Sequence, residues 1–350
     1  VQFADLGMVV IDEQHRFGVE QRDALREKAR AARPHVLVMT ATPIPRTVAM
    51  TVYGDLDTST LTELPAGRSP IATHVVPAAE RPRYLARAWE RIREEVGKGR
   101  QAYVVCPRIG GEETPKPGSS TNGFPAPDTD DAGAFPGQDE EEVAPGRPPL
   151  AVLDLAPALA EGPLAGLRLR VLHGRLPTDE KDAAMRAFAD GLADVLVATT
   201  VVEVGVDVAN ATAMVVMDAD RFGVSQLHQL RGRVGRGSEP GLCLLVTEAA
   251  GGTRARERLD AVAGTLDGFR LSRLDLEQRR EGDVLGAAQA GRKRSLRLLT
   301  LLGDEALIGQ AREEATALVE ADPELAAHPV LAAAIRSLLD EEQAEFLEKA

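Results

Sequence analysis

The sequence predicts an α/β fold, a parallel sheet covered by helices and followed by a helical end segment, and three observations carry that reading. Short apolar runs rich in β-branched residues recur along residues 7–248, and near-continuous apolar strands belong to sheets buried on both faces. Stretches of helical period separate them, the alternation that builds parallel sheet. From Thr253 onward the strand pattern gives out and only helical period remains.

In chain order the strand candidates are GMVVIDE from Gly7, HVLVMTAT from His35, IATHVV from Ile71, QAYVVC from Gln101, LRLRVLHG from Leu167, ADVLVATT from Ala193, TAMVVMD from Thr212 and GLCLLVTE from Gly241. Helical periods fall at Glu20–Ala31, Arg81–Val96, Leu150–Leu159 and Asp179–Ala189. The stretch LPAGRSP, Leu64–Pro70, has linker composition. It divides an incomplete first α/β domain, 1–65, from a complete second one, 66–250, and leaves 251–350 as a helical segment with an acidic tail. Within the second domain, residues 109–150 are rich in Gly, Pro, Ser and acid with almost nothing to bury, so they are expected to form a disordered loop that interrupts one domain.

Composition excludes some classes at once. No apolar run reaches the roughly 18 to 20 residues that span a bilayer, and the first twenty residues lack the pattern of a secretory signal. A cytoplasmic protein without a membrane partner is expected. Cys106 and Cys243 each sit in an apolar strand run, which points to core packing and away from a disulfide or metal site. The chain opens on Val1 and runs straight into a strand pattern, as a chain does that starts inside a domain.

A net charge of −13 argues against a polyanionic partner only if it is evenly spread. Residues 109–150 carry −7 and residues 303–350 carry −9, which leaves +3 on the rest. The folded part is free to bind nucleic acid.

Four segments carry the chemistry. The first strand ends on Asp12-Glu13. An Asp at the carboxyl end of a central strand is where a nucleoside-triphosphate hydrolase holds Mg²⁺, and a neighbouring Glu can orient and deprotonate water. Far along the chain, QLHQLRGRVGRG spans Gln226–Gly237; helical spacing there is expected to bring Gln229, Arg233 and Arg236 toward one face. Two guanidiniums so placed suit a γ-phosphate. Gly232, Gly235 and Gly237 disfavour a plain surface helix and suggest close backbone approach. Between these lie TATPIPRT, Thr40–Thr47, and ATTVVEVGVD, Ala198–Asp207, each with hydroxyls at a strand end, able to hold phosphate oxygens of a nucleic acid or to couple sites.

Together, DEQH, TATPIPRT, TTVVEVGVDVANAT and QLHQLRGRVGRG resemble motifs II, III, V and VI of superfamily-2 helicases. The longer strings DEQHRFGVEQR, RQAYVVCPR, VLHGRLPTDEKDAAMRAF and TTVVEVGVDV are similar, more narrowly, to the RecG family within that superfamily. DGFRLSRLDLEQRREGDVLGAAQAG resembles the segment linked to duplex translocation in that family and in the coupling factor Mfd.

The resemblance implies RecA-like sheets, ATP and Mg²⁺ as cofactors, and branched and duplex DNA as partners, in recombination and repair. It further implies a monomer, with single-stranded DNA-binding protein as a further partner. Residue by residue, it gives Asp12 to Mg²⁺ and ATP, and Glu13 to the general base. Gln14, His15, Thr40 and Thr42 become coupling residues. Gly205 and Asp207 fall to ATP binding, Thr199 and Thr200 to the DNA backbone. Gln229, Arg233 and Arg236 take the catalytic positions of motif VI, and Arg279, Arg280 and Gln289 the DNA-binding positions of the translocation segment.

The phosphate loop G-x-x-x-x-G-K-S/T does not occur in the chain: the single Gly-Lys, Gly97-Lys98, follows a helical pattern and is followed by Gly99. This span by itself is therefore expected to be inactive in ATP hydrolysis. Two alternatives stand beside the RecG-type reading: an Mfd-like transcription-repair translocase, and a non-catalytic RecA-like binding module. Retention of Asp12, Glu13, Arg233 and Arg236 speaks against the latter.

Overall fold

The computed structural model describes residues 6–12, 34–40, 59, 61, 69–110, 148–203, 207–278 and 304–338. The chain divides into two compact units, one of residues 1–60 with 280–350 and one of residues 61–279.

In the first unit, β1 (Met8–Ile11) pairs in parallel with β2 (His35–Val38), Val9 opposite Val36 and Ile11 opposite Val38. The ladder continues one step beyond the strands, where Met39 N–H donates to the Ile11 carbonyl at 2.7 Å. The same unit holds two described helices near the chain end, Glu305–Ala321 and Pro329–Leu338. The helix expected at Glu20–Ala31 lies outside the described residues, as does most of the linker Leu64–Pro70.

The second unit is a doubly wound parallel sheet. Its elements run β3 (Ile71–Pro77), α1 (Pro82–Gly97), β4 (Gln101–Val105), α2 (Val152–Glu161), β5 (Leu169–Leu172), α3 (Thr178–Ala189), β6 (Val195–Ala198), β7 (Ala211–Val216), α4 (Val224–Arg231), β8 (Gly241–Thr247), α5 (Arg254–Gly264) and α6 (Gly268–Gln278). The two helices near the chain end are α7 and α8. Spatial order is β3-β8-β7-β4-β6-β5, every pair parallel. All eight strand candidates are strands.

Alternation along the strands sorts side chains onto two faces. On β4, Tyr103 and Val105 point to one face, where Phe188 of α3, Leu227 and Leu230 of α4, Leu259 of α5 and Leu271 of α6 complete a core. Ala102 and Val104 point to the other, against Trp89 and Ile92 of α1 and Leu159 of α2. Burying a side chain such as Ile92 or Leu230 fully is worth roughly 1.5–3 kcal/mol, so these two layers hold the sheet. Cys106 and Cys243 are buried free thiols, in line with core packing.

Residues 111–147, the bulk of the expected disordered loop, lie outside the described residues; its two flanks meet in the sheet unit. Arg108 and Ala151 form a parallel bridge, Val152 N–H donates to the Arg108 carbonyl and Leu153 N–H to that of Ile109, both at 2.9 Å. Both flanks therefore sit on the carboxyl edge of the sheet beside β4. There Asp218, in left-handed backbone at φ 47°, accepts from Leu150 N–H at 2.7 Å. Among the described residues no helix is long and apolar enough to cross a membrane.

Candidate functional site

Helix α4 presents Val224, Leu227 and Leu230 to the core at helical spacing and stops at Arg231, with Gly232 at its end. The motif VI arginines consequently do not stack on one helical face with Gln229, as expected from spacing alone. Gln229 is in the helix and half-buried; Arg233 and Arg236 lie in the turn beyond it. The cause is the glycine set. Gly235 adopts φ 69°, a conformation that ends a helix and that side chains with a Cβ resist. Gly237 passes so close to the 207–210 segment that a Cβ on it would lie 2.7 Å from the Ala209 carbonyl oxygen. The close backbone approach expected from these glycines is present, and it is a turn that achieves it.

This turn aims both arginines at one carboxylate. Arg233 Nη1 lies 3.6 Å from Asp207 Oδ1, and Arg236 Nη1 forms a closer ion pair with the same oxygen. Arg236 is braced from behind, its Nε donating to the Gly232 carbonyl at 3.0 Å. Asp207 is mostly exposed, at 62%, so the pair faces solvent with an anion already held between two guanidiniums. Beneath them, burial pushes the Tyr103 phenol up to about 12, against the opposing pull of Arg233 and Arg236. Two forked cations meeting at one oxygen form a donor set suited to a phosphate.

A buried ion network underpins the same edge. Glu95, on the inner face of α1, accepts from Arg100 Nη1 at 2.9 Å, from Thr212 Oγ1 at 2.8 Å and from Lys98 Nζ at 3.2 Å, with Arg91 Nη2 at 3.0 Å. Burial alone would raise its carboxyl, but the bonds from Arg100, Thr212 and Lys98 and the charge of Arg91 bring it down to about 2. Arg100 also pairs with Glu239, three residues past Arg236, and so ties the arginine turn to the start of β4.

The remaining expected site residues are dispersed. Thr199 and Thr200 follow β6 on the carboxyl edge of the sheet, whereas Asp207 precedes β7 and the arginine turn precedes β8, both on the amino edge. Thr199 is buried and its N–H donates to the Leu172 carbonyl at 3.2 Å. Asp12 stands exposed at the carboxyl end of β1, and Thr40 two residues past β2. Glu13, Gln14, His15, Thr42, Gly205, Arg279, Arg280 and Gln289 lie outside the described residues.

One residue of consequence escaped the motif reading. Arg231 is 2% exposed, its Nη1 donating to the Val262 and Thr265 carbonyls at 2.7 Å each and its Nη2 lying 2.8 Å from His228 Nδ1. Its signal was present: Arg231 falls four residues after Leu227 and seven after Val224, on the apolar stripe of α4.

Known proteins match this architecture. The family described as "Helicase conserved C-terminal domain" matches residues 153–238, which run from α2 through the arginine turn. The chain is 53% identical over 351 residues to the ATP-dependent DNA helicase RecG of Mycobacterium leprae, covering all of this chain and 44% of that protein. It is 57% identical over 314 residues to that of Mycobacterium tuberculosis H37Rv, covering 89% of this chain and 39% of that protein. Among solved structures, RecG bound to a three-way DNA junction superposes with a TM-score of 0.57 at 34% identity, covering 88% of this chain and 34% of that one. The chain thus spans about two fifths of the length of these curated relatives. The fold is the RecA-like α/β fold of helicases with a helical end segment, and over the span it shares with these relatives the chain is similar to ATP-dependent DNA helicases of the RecG type.

Proposed function

We propose that the protein to which this chain belongs is an ATP-dependent DNA helicase and translocase of the RecG type, which remodels branched DNA such as stalled forks and Holliday junctions. The observation that carries this reading is the meeting of Arg233 and Arg236 at Asp207 on the amino edge of the sheet. An arrangement already selective for one anionic oxygen fits a γ-phosphate that gains charge as its bond to ADP breaks. The names of the relatives and the junction-bound neighbour support DNA as the track.

In this reading Arg233 and Arg236 stabilise the transferring phosphoryl group, Gln229 takes the leading catalytic position of motif VI, and Asp207 and Gly205 bind nucleotide. Asp12 is the acid among the described residues at the carboxyl ends of β1 and β2, and its hard oxygen donors fit Mg²⁺. When bound, the ion neutralises phosphate charge. Glu13 takes a proton from water, and Gln14, His15, Thr40 and Thr42 relay the nucleotide state. Thr199 and Thr200 contact the DNA backbone, and Arg279, Arg280 and Gln289 serve translocation. Residues 1–65 supply part of a first helicase domain, 66–250 a second, and 251–350 the translocation segment and tail. The protein is placed in the cytoplasm, as a monomer with branched and duplex DNA and single-stranded DNA-binding protein as partners.

The test is ATP turnover by the full-length protein with and without branched DNA. Strong stimulation by a fork or four-way junction is expected, and turnover indifferent to DNA would overturn the reading. The 350-residue span alone, without a G-x-x-x-x-G-K-S/T loop, is expected to give background turnover; clear hydrolysis by it would show that loop to be dispensable.

A further inference from the structure

Strand β8 lies beside β3, and the two connections that leave their carboxyl ends stay together: Ala78 N–H donates to the Thr247 carbonyl at 2.8 Å, and Gly251 N–H donates to Glu80 Oε1 at 2.9 Å. These connections lead directly into α1 and α5. The starts of both helices therefore share the carboxyl edge of the sheet, the edge of Thr199 and Thr200.

Arg81, Arg83, Tyr84 and Arg254 are all exposed at these helix starts. One turn further along α1 the arginines are neutralised, Arg87 by Glu90 and Glu94, and Arg91 by Glu94 and Glu95. At the edge the pattern changes. Among the described residues Arg81, Arg83 and Arg254 have no carboxylate partner; Arg81 Nη1 donates to Tyr84 Oη at 2.9 Å, and the adjacent acid Glu80 accepts from the Gly251 amide and forms no ion pair with them. The guanidinium carbons of Arg81 and Arg83 lie 5.3 and 5.8 Å from the centre of the Tyr84 ring. The ring thus gathers two cations on one small patch and lowers the ordering cost of binding through them. A cation beside the first turn of a helix is unfavourable for the helix itself, so this placement does not serve the fold.

We propose that Arg81, Arg83 and Arg254, the first two gathered by Tyr84, form a contact surface for the phosphate backbone of duplex DNA, separate from the threonines after β6. Three guanidiniums on one edge, none of them in an ion pair among the described residues, match the spaced charges of a duplex backbone. The inference rests on the DNA-helicase reading and adds to it a place where the duplex is gripped.

The experiment is equilibrium binding of the full-length protein to fluorescently labelled duplex DNA across a salt series. The slope of log K against log salt should become shallower by about 0.9 for each phosphate that is no longer neutralised. In the triple variant R81A/R83A/R254A it should therefore fall by between about 2 and 3, while R81K/R83K/R254K keeps most of the slope. ATP turnover without DNA and the thermal melt should match the wild type. Wild-type affinity and slope in the alanine variant would overturn the surface and leave the helicase reading intact. A wild-type protein that binds no DNA would overturn both.

Discussion

Arg231 of α4 caps α5: its guanidinium donates to two carbonyls at the carboxyl end of that helix, those of Val262 and of the capping residue Thr265, at 2.7 Å each. A cation there satisfies carbonyls that have no partner within the helix and sits at the negative end of its dipole. The helix that leads into the arginine turn is thereby joined to the start of the helical segment.

Arg231→Met keeps the volume and removes both bonds. Buried carbonyls without donors cost about 1–3 kcal/mol, so a loss of about 2–4 kcal/mol is expected. Urea unfolding reads it as a lower midpoint with unchanged slope. Arg231→Lys, which retains a charge and one donor, should recover part of the loss.

Gly237→Ala places a methyl 2.7 Å from the Ala209 carbonyl oxygen, where both sides are backbone and neither can turn away. The turn must shift, and the Arg236–Asp207 pair with it. A stability loss of about 1–3 kcal/mol is expected. ATP turnover of the full-length protein should fall by more than the loss of folded protein explains. Wild-type turnover per folded molecule would show that the tight approach does not position Arg236.

Sheet, strand positions and the buried cysteines were legible because apolar runs of β-branched residues between helical periods have few other solutions. The arginine pair was legible as chemistry but not as geometry. Periodicity placed Gln229, Arg233 and Arg236 on one helical face, and Gly232 and Gly235 end the helix before that face can form. Arg231 and Glu95 were missed for a common reason. Each is a charge on an apolar helical stripe, and beside near neighbours in sequence it has partners from distant segments, Val262 and Thr265 for one and Thr212 for the other. Helical period marks such a position as buried, but only the fold reveals what satisfies it.

Arg236 holds the closer of the two ion pairs with Asp207 and is braced by Gly232, so it should be the more rigid donor to a phosphate. In the full-length protein, Arg236→Ala is expected to lower ATP turnover by about 10³-fold, the range of an arginine finger. DNA affinity measured without nucleotide should stay within about twofold. A drop of less than about tenfold would overturn the proposed catalytic role of Arg236 and leave Arg233 as the candidate.

Burial pushes the thiols of Cys106 and Cys243 up to about 12. At neutral pH neither supplies thiolate, the species that reacts with alkylating agents. Iodoacetamide should leave the folded chain unmodified over hours and label both cysteines in denaturant, as mass spectrometry would record. Rapid labelling of Cys106 in the native state would mean that the carboxyl end of β4 opens.

Glu95 gives the sheet unit a defined acid limit. Its carboxyl is held near 2 in the folded state, against an ordinary 4.5, because Arg100, Thr212, Lys98 and Arg91 together outweigh the cost of burial. A depressed folded-state value means that the stabilisation is fully present above the ordinary value and is lost as pH falls from about 4.5 toward 2. The amount at stake is of order 3 kcal/mol. Glu95→Gln removes the titrating group and its charge-assisted bonds to Arg91, Lys98 and Arg100, although Arg91 keeps Glu94 and Arg100 keeps Glu239. It should therefore cost about 3 kcal/mol at pH 7 and make stability less dependent on pH below about 4.5. Chemical denaturation between pH 7 and 3 measures both effects; parallel curves for the two proteins would remove Glu95 from the acid response and leave it to the exposed carboxylates.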